Sequence, residues 1–362
     1  MDSAEASGHA QRPRAARRGA ERTSTVHTTW RQRVAGALVS IVIPNWNGRS
    51  LLEPCLASLD EQSYRRFETI VVDNGSSDDS ASYVRETYPD TRVVELGSNR
   101  GFAAAANAGI HAGSGSYVAL LNNDVIVEPD WLGELVRCAE RHPDAAGIAS
   151  KLLVHDSPSV IDRAGDVMSV AFRAYPRAHG ESDTGQVDEE TEVFAASGAA
   201  SLWRTEALRE IDFLDEEIFF GYEDVDLSFR ARLAGYSCWY APKARGWHIG
   251  GATAAALSDF VEFEATRNRW RMIIKDVPRT LLVRNLHHIL FAEALTIAKH
   301  ARSRKLRVLG RAYGEIASEL HDWRRDRQEV QSNVRVGVDA IRRSLTPAHR
   351  ILRRRLSWSL KS

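Results

Sequence analysis

Between residues 37 and 124, short apolar runs alternate with segments in which apolar residues recur at helical spacing. The apolar runs are LVSIVIP, TIVVD, RVVEL and YVALL. After the first run, Leu52, Leu56 and Leu59 recur on one face of a predicted helix. Strands that alternate with helices predict an α/β fold with a parallel sheet and right-handed crossovers.

Polar residues follow each of these apolar runs. They are Asn45 and Asn47 after Pro44, then Asp73, then Asn99, then Asn122, Asn123 and Asp124. Parallel strands have their carboxyl ends at the same edge of a sheet, and open α/β sheets bind ligands there. The sequence therefore predicts a ligand site built from these side chains.

Several nucleotide and hydrolase signatures are absent. No G-x-G-x-x-G follows the first strand, and no Walker-A sequence occurs, so neither a dinucleotide fold of the usual type nor a P-loop is supported. No G-x-S-x-G nucleophile elbow is present. Residues 150–195 read as irregular and polar, with HGESDTGQVDEE as a mobile loop, before FAASGAASLWRTEAL returns to a strand and a helix start.

The segment DEEIFFGYEDVDLSFR, residues 215–230, places acids directly after aromatic rings. A helix is predicted to begin at or near Asp224 and to stop at Gly235. The positive end of a helix favours a carboxylate, so Asp224 is a candidate base. Asp226 lies two residues on and is expected to face elsewhere, with Arg230 as its i,i+4 partner.

Charge is distributed unevenly along a chain whose net charge is zero. Residues 299–362 carry 17 Lys and Arg against six acids. A basic helical extension over 278–362 predicts an anionic partner, either a membrane surface or nucleic acid. We favour the membrane, because the remaining chain has no recognised nucleic-acid-reading module. A helical cap packed on the core is the alternative.

Cysteine use and hydropathy bear on the compartment. Three widely spaced cysteines fit neither a zinc site nor a disulfide framework, which predicts a reducing cytoplasm. The sequence contains no uncharged apolar run of about 18 to 20 residues, so no bilayer span is expected. The N-terminus has no apolar signal region, so no secretory signal is expected either. Residues 1–36 are predicted to form a disordered tail.

The order of motifs resembles glycosyltransferase family 2, an inverting family with the GT-A nucleotide-diphospho-sugar transferase fold. The resemblance covers residues 38–275 and rests on VSIVIPNWNG, VVDNGSSDDS, NRGFAAAANAGI, LLNNDV, SGAASLWR, FFGYEDVDLSFR and WHIGG. The rhamnosyltransferase-like branch is the most similar. The resemblance implies a GT-A domain over 37–277, a mostly parallel sheet flanked by helices, followed by the basic helical extension.

The resemblance also assigns roles to individual residues. Asp124 lies in the position of a D-x-D-like motif that shares Mg²⁺ or Mn²⁺ with the donor diphosphate, and His248 matches a further metal ligand. Asn122 fills the first acidic position of that motif with an amide. The donor-binding positions are Pro44, Asn45, Asn47, Asp73, Asn99, Gly101, Asn107, Asn122 and Asn123.

The family's acidic pair places the catalytic base on Asp224, with Glu223 as its support. The acceptor-binding positions are Tyr222, Gly198 and Trp247. The implied reaction moves a sugar, preferably L-rhamnose from dTDP-rhamnose, to a lipid-linked or growing glycan at the inner face of the plasma membrane. A UDP- or GDP-sugar donor is the runner-up.

Two other hypotheses about the function have less support from the sequence. A related-fold nucleotidyltransferase needs a basic Gly-rich loop after the first strand, where PNWNGRS supplies only Arg49. A non-catalytic scaffold is disfavoured by the joint presence of Asp73, Asp124, Glu223 and Asp224. The sequence leaves the oligomeric state open.

Overall fold

The structure is a computed structural model that describes residues 36–250 and 258–347. The predicted disordered tail therefore lies outside the described residues except for residue 36. The terminal basic stretch from residue 348 onward also lies outside them.

The strands and helices follow the alternation that the sequence predicts in the first third of the chain. The strands are β1 (Val39–Asn45), β2 (Phe67–Asp73), β3 (Arg92–Glu95), β4 (Tyr117–Leu121), β5 (Val125–Val127), β6 (Ala145–Val154), β7 (Ser157–Ala164), β8 (Asp166–Ser169), β9 (Ala174–Pro176), β10 (Thr191–Val193), β11 (Ala200–Arg204), β12 (Ser237–His248) and β13 (Leu345–Thr346). The helices are α1 (Arg49–Asp60), α2 (Ser80–Thr87), α3 (Gly101–Ala112), α4 (Trp131–Arg141), α5 (Thr205–Glu210), α6 (Glu223–Leu233), α7 (Ser258–Asp276), α8 (Arg279–Arg302), α9 (Leu306–Ser332) and α10 (Val338–Ser344).

The main sheet has the strand order β10-β12-β6-β11-β4-β1-β2-β3, with β5 paired to β12 and β7 paired to β6. The half formed by β3, β2, β1 and β4 is parallel, as predicted. The other half is mixed, because β11 runs antiparallel between β4 and β6. The α/β prediction is confirmed, with more antiparallel pairing than a mostly parallel sheet implies.

Helix α3 covers the parallel half of the sheet at close range. Its buried alanines and Ile110 pack on Val42, Ile70 and Val72. A Cβ at Gly109 would collide with Val42 and Val72, so the helix backbone approaches the strands closely. Small residues in α3 therefore serve packing along most of the helix.

The prediction that residues 150–195 are irregular was wrong for most of this region, although the HGESDTGQVDEE segment lies between β9 and β10 and contains neither a named strand nor a helix. β6 continues to residue 154, and β7, β8, β9 and β10 all lie in this region. The buried ammonium of Lys151 contacts the carboxylates of Asp183 and Asp188 at 2.7 Å each. These ion pairs fasten the acidic HGESDTGQVDEE segment to the sheet.

A second core joins the sheet region to the C-terminal helices. Phe229 and Leu233 of α6 share this core with Met272, Leu281 and Ile341. β13 pairs with β8, which brings the end of the described chain back to this region. The predicted domain boundary between 277 and 278 falls inside this core.

Candidate active site

The ends of β1 and β2 lie side by side and carry the first polar group. Asn45 is the strand neighbour of Asp73, and Pro44 is that of Val72. The amide oxygen of Asn45 accepts a hydrogen bond from Asn123 Nδ2 at 2.7 Å. Asp73 Oδ2 accepts the Ser76 backbone N–H at 3.1 Å, while its buried Oδ1 has no partner among the described residues. A buried oxygen without a partner is an acceptor available to an N–H of a ligand.

The side chains of Asn74 and Asn99 tie the loop after β2 to the start of α3. Asn74 Nδ2 donates to Asn99 Oδ1 and to the Gly101 carbonyl, at 3.0 Å each. Asn99 Oδ1 also accepts the Gly101 N–H at 3.0 Å. On the other side of the loop, Asn47 Oδ1 accepts the Ser77 N–H at 2.8 Å. Asn47, Asn99 and Gly101 thus shape the loops beside Asp73.

Three predicted site residues are not brought into this group. Both ends of the buried Asn107 amide bond the backbone of Leu214, at 2.9 and 3.1 Å, so Asn107 anchors the loop after α5. Trp247 packs against the hydrophobic core of the sheet. Tyr222 packs against the second core. The donor role predicted for Asn107 and the acceptor roles predicted for Tyr222 and Trp247 stay predictions.

The predicted metal ligands meet at the end of β12. His248 Nε2 lies 3.3 Å from Asp124 Oδ1, and His248 Nδ1 lies 2.9 Å from Asp162 Oδ2. Burial lowers the pKa of His248, but hydrogen bonds to Asp124 and Asp162 outweigh it and raise the pKa to about 9. Burial raises the pKa of Asp162, but hydrogen bonds from His179 and His248 bring that pKa well below its usual range.

The donor set at this point fits a hard divalent cation. Asp124 supplies a carboxylate, His248 an imidazole, and Asn122 lies two residues before Asp124 at the end of β4. Asp162 on the far side of the ring completes the carboxylate–histidine arrangement that commonly orients a metal-ligating imidazole. Asp124 Oδ1 is buried and lies 3.3 Å from His248 Nε2, so the two candidate ligand atoms lie side by side.

The turn at Asn122 connects this group to the acidic pair. The Asn122 N–H donates to the Ala199 carbonyl at 2.8 Å. Next to it, the Gly198 N–H donates to Asp224 Oδ2 at 2.9 Å. Gly198, predicted as an acceptor position, therefore holds the predicted base through its backbone.

The predicted catalytic pair begins α6, as expected. Asp224 Oδ1 accepts the Val225 N–H at 2.7 Å, so backbone donors hold both of its oxygens. Burial, and then the charge of Asp224, raise the pKa of Glu223 to about 8. Glu223 Oε2 is buried and lacks a partner among the described residues. The pair thus combines one backbone-bound carboxylate with one carboxyl group that keeps its proton at neutral pH.

Asp226 is separated from this chemistry, as predicted. Its carboxylate lies 2.8 Å from Arg230 and 2.6 Å from the Lys275 ammonium, and its side chain is fully buried. These two cations hold the pKa of Asp226 below its usual range despite the opposing effect of burial. Asp226 joins α6 to α7.

Sequence reasoning missed Arg163, which lies between the two halves of the site. Its guanidinium donates to Ser197 Oγ at 2.9 Å and lies 3.5 Å from Asp166 and 3.9 Å from Asp162. Burial lowers the pKa of Arg163, but Asp166, Asp224, Asp162 and Glu223 raise it. Burial also raises the pKa of Asp166 to about 6.

The missed residues gave only a faint signal. In SVIDRAGD, Asp162 follows the apolar residues Val160 and Ile161, as polar residues do at the other strand ends. The next residue is Arg163, which is not a turn residue. Gly48 was also missed, although a Cβ there would collide with the amides of Asn45 and Asn123.

The chain matches known sequences over much of its length. Residues 40–212 match the family model described as glycosyl transferase family 2. A poly-β-1,6-N-acetyl-D-glucosamine synthase of Staphylococcus epidermidis is 24% identical over 230 residues, which cover 62% of this chain and 53% of that protein. An uncharacterized protein of Sinorhizobium fredii is 32% identical over 227 residues, covering 60% and 25%. The chain thus spans a quarter to about half the length of these relatives.

Solved structures with the same fold include sugar transferases. GalNAc-T7 with UDP, GalNAc and Mn²⁺ superposes with a TM-score of 0.54 at 15% identity, over 67% of this chain and 48% of that one. The mannosyltransferase PcManGT of Pyrobaculum calidifontis, with GDP-Man and Mn²⁺, gives 0.50 at 16% identity, over 85% and 91%. At such identities the likeness concerns the fold, which is GT-A. Together with this fold, the family match shows a glycosyl transferase family 2 region over residues 40–212.

Proposed function

We propose that this chain transfers a sugar from a nucleotide-diphospho-sugar to an acceptor hydroxyl with inversion at the anomeric carbon. The observation that carries the proposal is the environment of Asp224. Two backbone N–H groups, from Gly198 and Val225, fix its carboxylate at the start of α6. A base held by such donors is oriented before the acceptor arrives.

The proposed step is one displacement. The acceptor oxygen forms a bond to the anomeric carbon while the bond from that carbon to the diphosphate oxygen breaks. The hydroxyl proton passes to the Asp224 carboxylate, and the nucleoside diphosphate leaves with the electron pair. Protonated Glu223 is positioned to donate a hydrogen bond through its unpartnered Oε2, which we assign to orienting the acceptor.

We propose that Asp124 and His248, with Asn122, would hold Mg²⁺ or Mn²⁺. When bound, the cation neutralises charge on the leaving diphosphate. Asp162 positions the His248 ring for this role. The Mn²⁺ present in the structures of GalNAc-T7 and PcManGT supports the assignment.

For the donor we propose dTDP-L-rhamnose, on the order of motifs described above. The unpartnered Oδ1 of Asp73 suits the imide N–H of a pyrimidine, which thymine and uracil share. UDP-sugars are therefore the alternative, and the UDP bound to GalNAc-T7 favours them. A GDP-sugar remains a third candidate, through PcManGT.

For the acceptor we propose a lipid-linked or growing cell-wall or polysaccharide glycan, used at the cytoplasmic face of the plasma membrane. Support comes from the synthase of a polysaccharide among the relatives. The three cysteines are free and buried, in keeping with a reducing compartment.

The test is an Asp224→Asn variant, after nucleotide sugars have been screened for Mn²⁺-dependent binding and hydrolysis. Loss of the base should lower transfer by about 10²- to 10⁴-fold. Donor affinity, measured by calorimetry, should stay within about threefold of wild type. A larger loss would indicate that the substitution removes a charged contact to the donor. Asp90→Asn, at an exposed aspartate, is the matched control. Transfer by Asp224→Asn at the rate of the control would refute the base assignment.

A further inference from the structure

Helix α8 exposes a continuous set of large apolar side chains. We call this set the apolar face of α8; its members are Val283, Leu286, Leu290, Phe291, Leu295 and Ile297. Val283 is 69% exposed and Phe291 is 62% exposed. Most of the large apolar side chains that are exposed in residues 36–250 and 258–347 belong to this helix. Large apolar side chains grouped on an exposed surface mark an interaction site.

The opposite side of α8 is covered by protein along its length. Leu281, Asn285 and Ile289 are buried there. Glu293 accepts hydrogen bonds from Arg269 and from the hydroxyl of Tyr313. By length and composition α8 qualifies as a helix that could cross a membrane. A helix with one side committed to ion pairs and packing fits the plane of a membrane surface better than a span.

The charges of α8 indicate which surface would cover the apolar face. Its exposed cations are Arg279 and Arg284 near its beginning and Lys299 and Arg302 in its last turn. Glu293 is the only acid in the helix sequence, and it points inward to Arg269. The outer side of α8 therefore combines apolar side chains with positive charge, which is the composition of an interfacial helix on anionic lipid.

Helix α8 is fixed to neighbouring elements by side-chain contacts. Arg173 donates to the Ala292 carbonyl of α8 at 3.3 Å, and Arg269 of α7 pairs with Glu293. The apolar face of α8 therefore lies on a helix that is held in place.

We propose that the apolar face of α8 docks on an anionic lipid bilayer and lies in its interface without crossing it. This places the membrane contact on residues 283–297, in the first helix of the predicted extension over 278–362. The proposal does not require transfer activity, so its test is independent of the function proposed above.

The test is flotation of the full chain with vesicles, without any nucleotide sugar. Wild type should float with mixed phosphatidylcholine–phosphatidylglycerol vesicles and float less as salt rises. Leu290→Gln/Phe291→Gln removes two apolar side chains that are proposed to insert into the lipid. It should weaken binding by about a hundredfold. Both positions are exposed, so urea unfolding should match wild type, which checks that the variant folds.

A second pair of substitutions tests the role of charge, and a third pair is its matched control. Arg279→Gln/Arg284→Gln should weaken binding to the anionic vesicles by about tenfold or more, since each cation near the surface contributes about 1 kcal/mol, a fivefold factor. Arg324→Gln/Arg325→Gln makes the same change of charge at exposed positions of α9 and should leave binding near wild type.

Several outcomes would overturn the proposal. They are a wild type that stays with the lipid-free fraction, a Leu290→Gln/Phe291→Gln variant that floats like wild type, and an α9 control weakened as much as the α8 pair. A wild-type dimer converted to monomer by Leu290→Gln/Phe291→Gln would show that a second copy covers the face. Resistance of the bound protein to alkaline carbonate extraction would show that α8 spans the bilayer.

Discussion

Glu223 makes the stability of this protein depend on pH in a direction that a glutamate rarely gives. Its folded-state pKa is raised from 4.5 to about 8, first by burial and then by Asp224. Between these two values the folded chain holds a proton that the unfolded chain has released. The free energy of unfolding therefore falls as pH rises from about 4.5 to 8, and is lowest above that window.

Glu223→Gln should remove this dependence, because glutamine mimics the protonated side chain and does not titrate. Each pKa unit corresponds to about 1.36 kcal/mol, so the full shift corresponds to on the order of 3–5 kcal/mol. The variant should match wild type near pH 5 and exceed its unfolding free energy by up to that amount near pH 9. Other groups, Asp166 among them, titrate in both proteins and largely cancel in the difference.

The assay is urea unfolding followed by tryptophan fluorescence across this pH range, with Glu86→Gln at an exposed glutamate as control. The difference between Glu223→Gln and wild type should grow with pH, while Glu86→Gln should follow wild type. Parallel curves for Glu223→Gln and wild type would refute the argument that Glu223 is protonated at neutral pH.

Two further perturbations test the site and its framework. Asp162→Asn should lower Mn²⁺ affinity by about 10- to 100-fold, because the amide no longer orients the His248 ring. Calorimetry with the metal alone measures this affinity. An unchanged affinity would show that Asp162 does not support the cation site. Gly101→Ala should lower unfolding free energy by about 2–4 kcal/mol in urea, since its φ is +85° and a Cβ would lie 2.6 Å from the Phe219 carbonyl oxygen. Gly97→Ala has a similar φ of +73° with open space around it, so it should cost only about 1–2 kcal/mol, and equal losses at both positions would contradict the steric argument.

The parallel half of the sheet and its polar edge could be predicted because their signals are local. Each strand is a short apolar run, and the residue after it is polar, so the register of β1 on β2 places Asn45 beside Asp73. The start of α6 and the Asp226–Arg230 pair were equally local, since helix geometry alone sets an i,i+4 contact.

The observed places of two predicted site residues, Trp247 and Asn107, follow from the geometry of their strand and helix. Successive side chains of a strand point to opposite faces, so Trp247 and His248 cannot both face one site. With His248 against Asp124, Trp247 must pack on the core, as it does. Asn107 lies six residues into α3 from Gly101, about 9 Å along the helix axis and away from the strand ends.

The remaining misses depend on pairing between distant segments. β7 has a polar beginning and no clear alternation, and it forms a strand because β6 pairs with it. Only that pairing carries Asp162 to His248, which lies 86 residues further along the chain. A single sequence contains no local signal for such a contact, so the third member of the Asp124–His248 group and Arg163 beside it required the structure.

The C-terminal helices are part of the architecture that holds the catalytic pair. Gly221 and Tyr222 have φ of +79° and +75°, and this left-handed turn sets the direction in which α6 begins. Asn268 of α7 donates to the carbonyls of Phe220 and Gly221 at 3.0 and 3.1 Å, which fastens the turn. Its neighbour Arg267 in turn bonds Glu319 of α9 at 2.7 Å. A deletion that removes α9 would therefore disturb the position of Glu223 and Asp224 as well as any membrane contact. Point substitutions on the outer face of α8 separate these two effects, because that face makes neither of the contacts that support the turn.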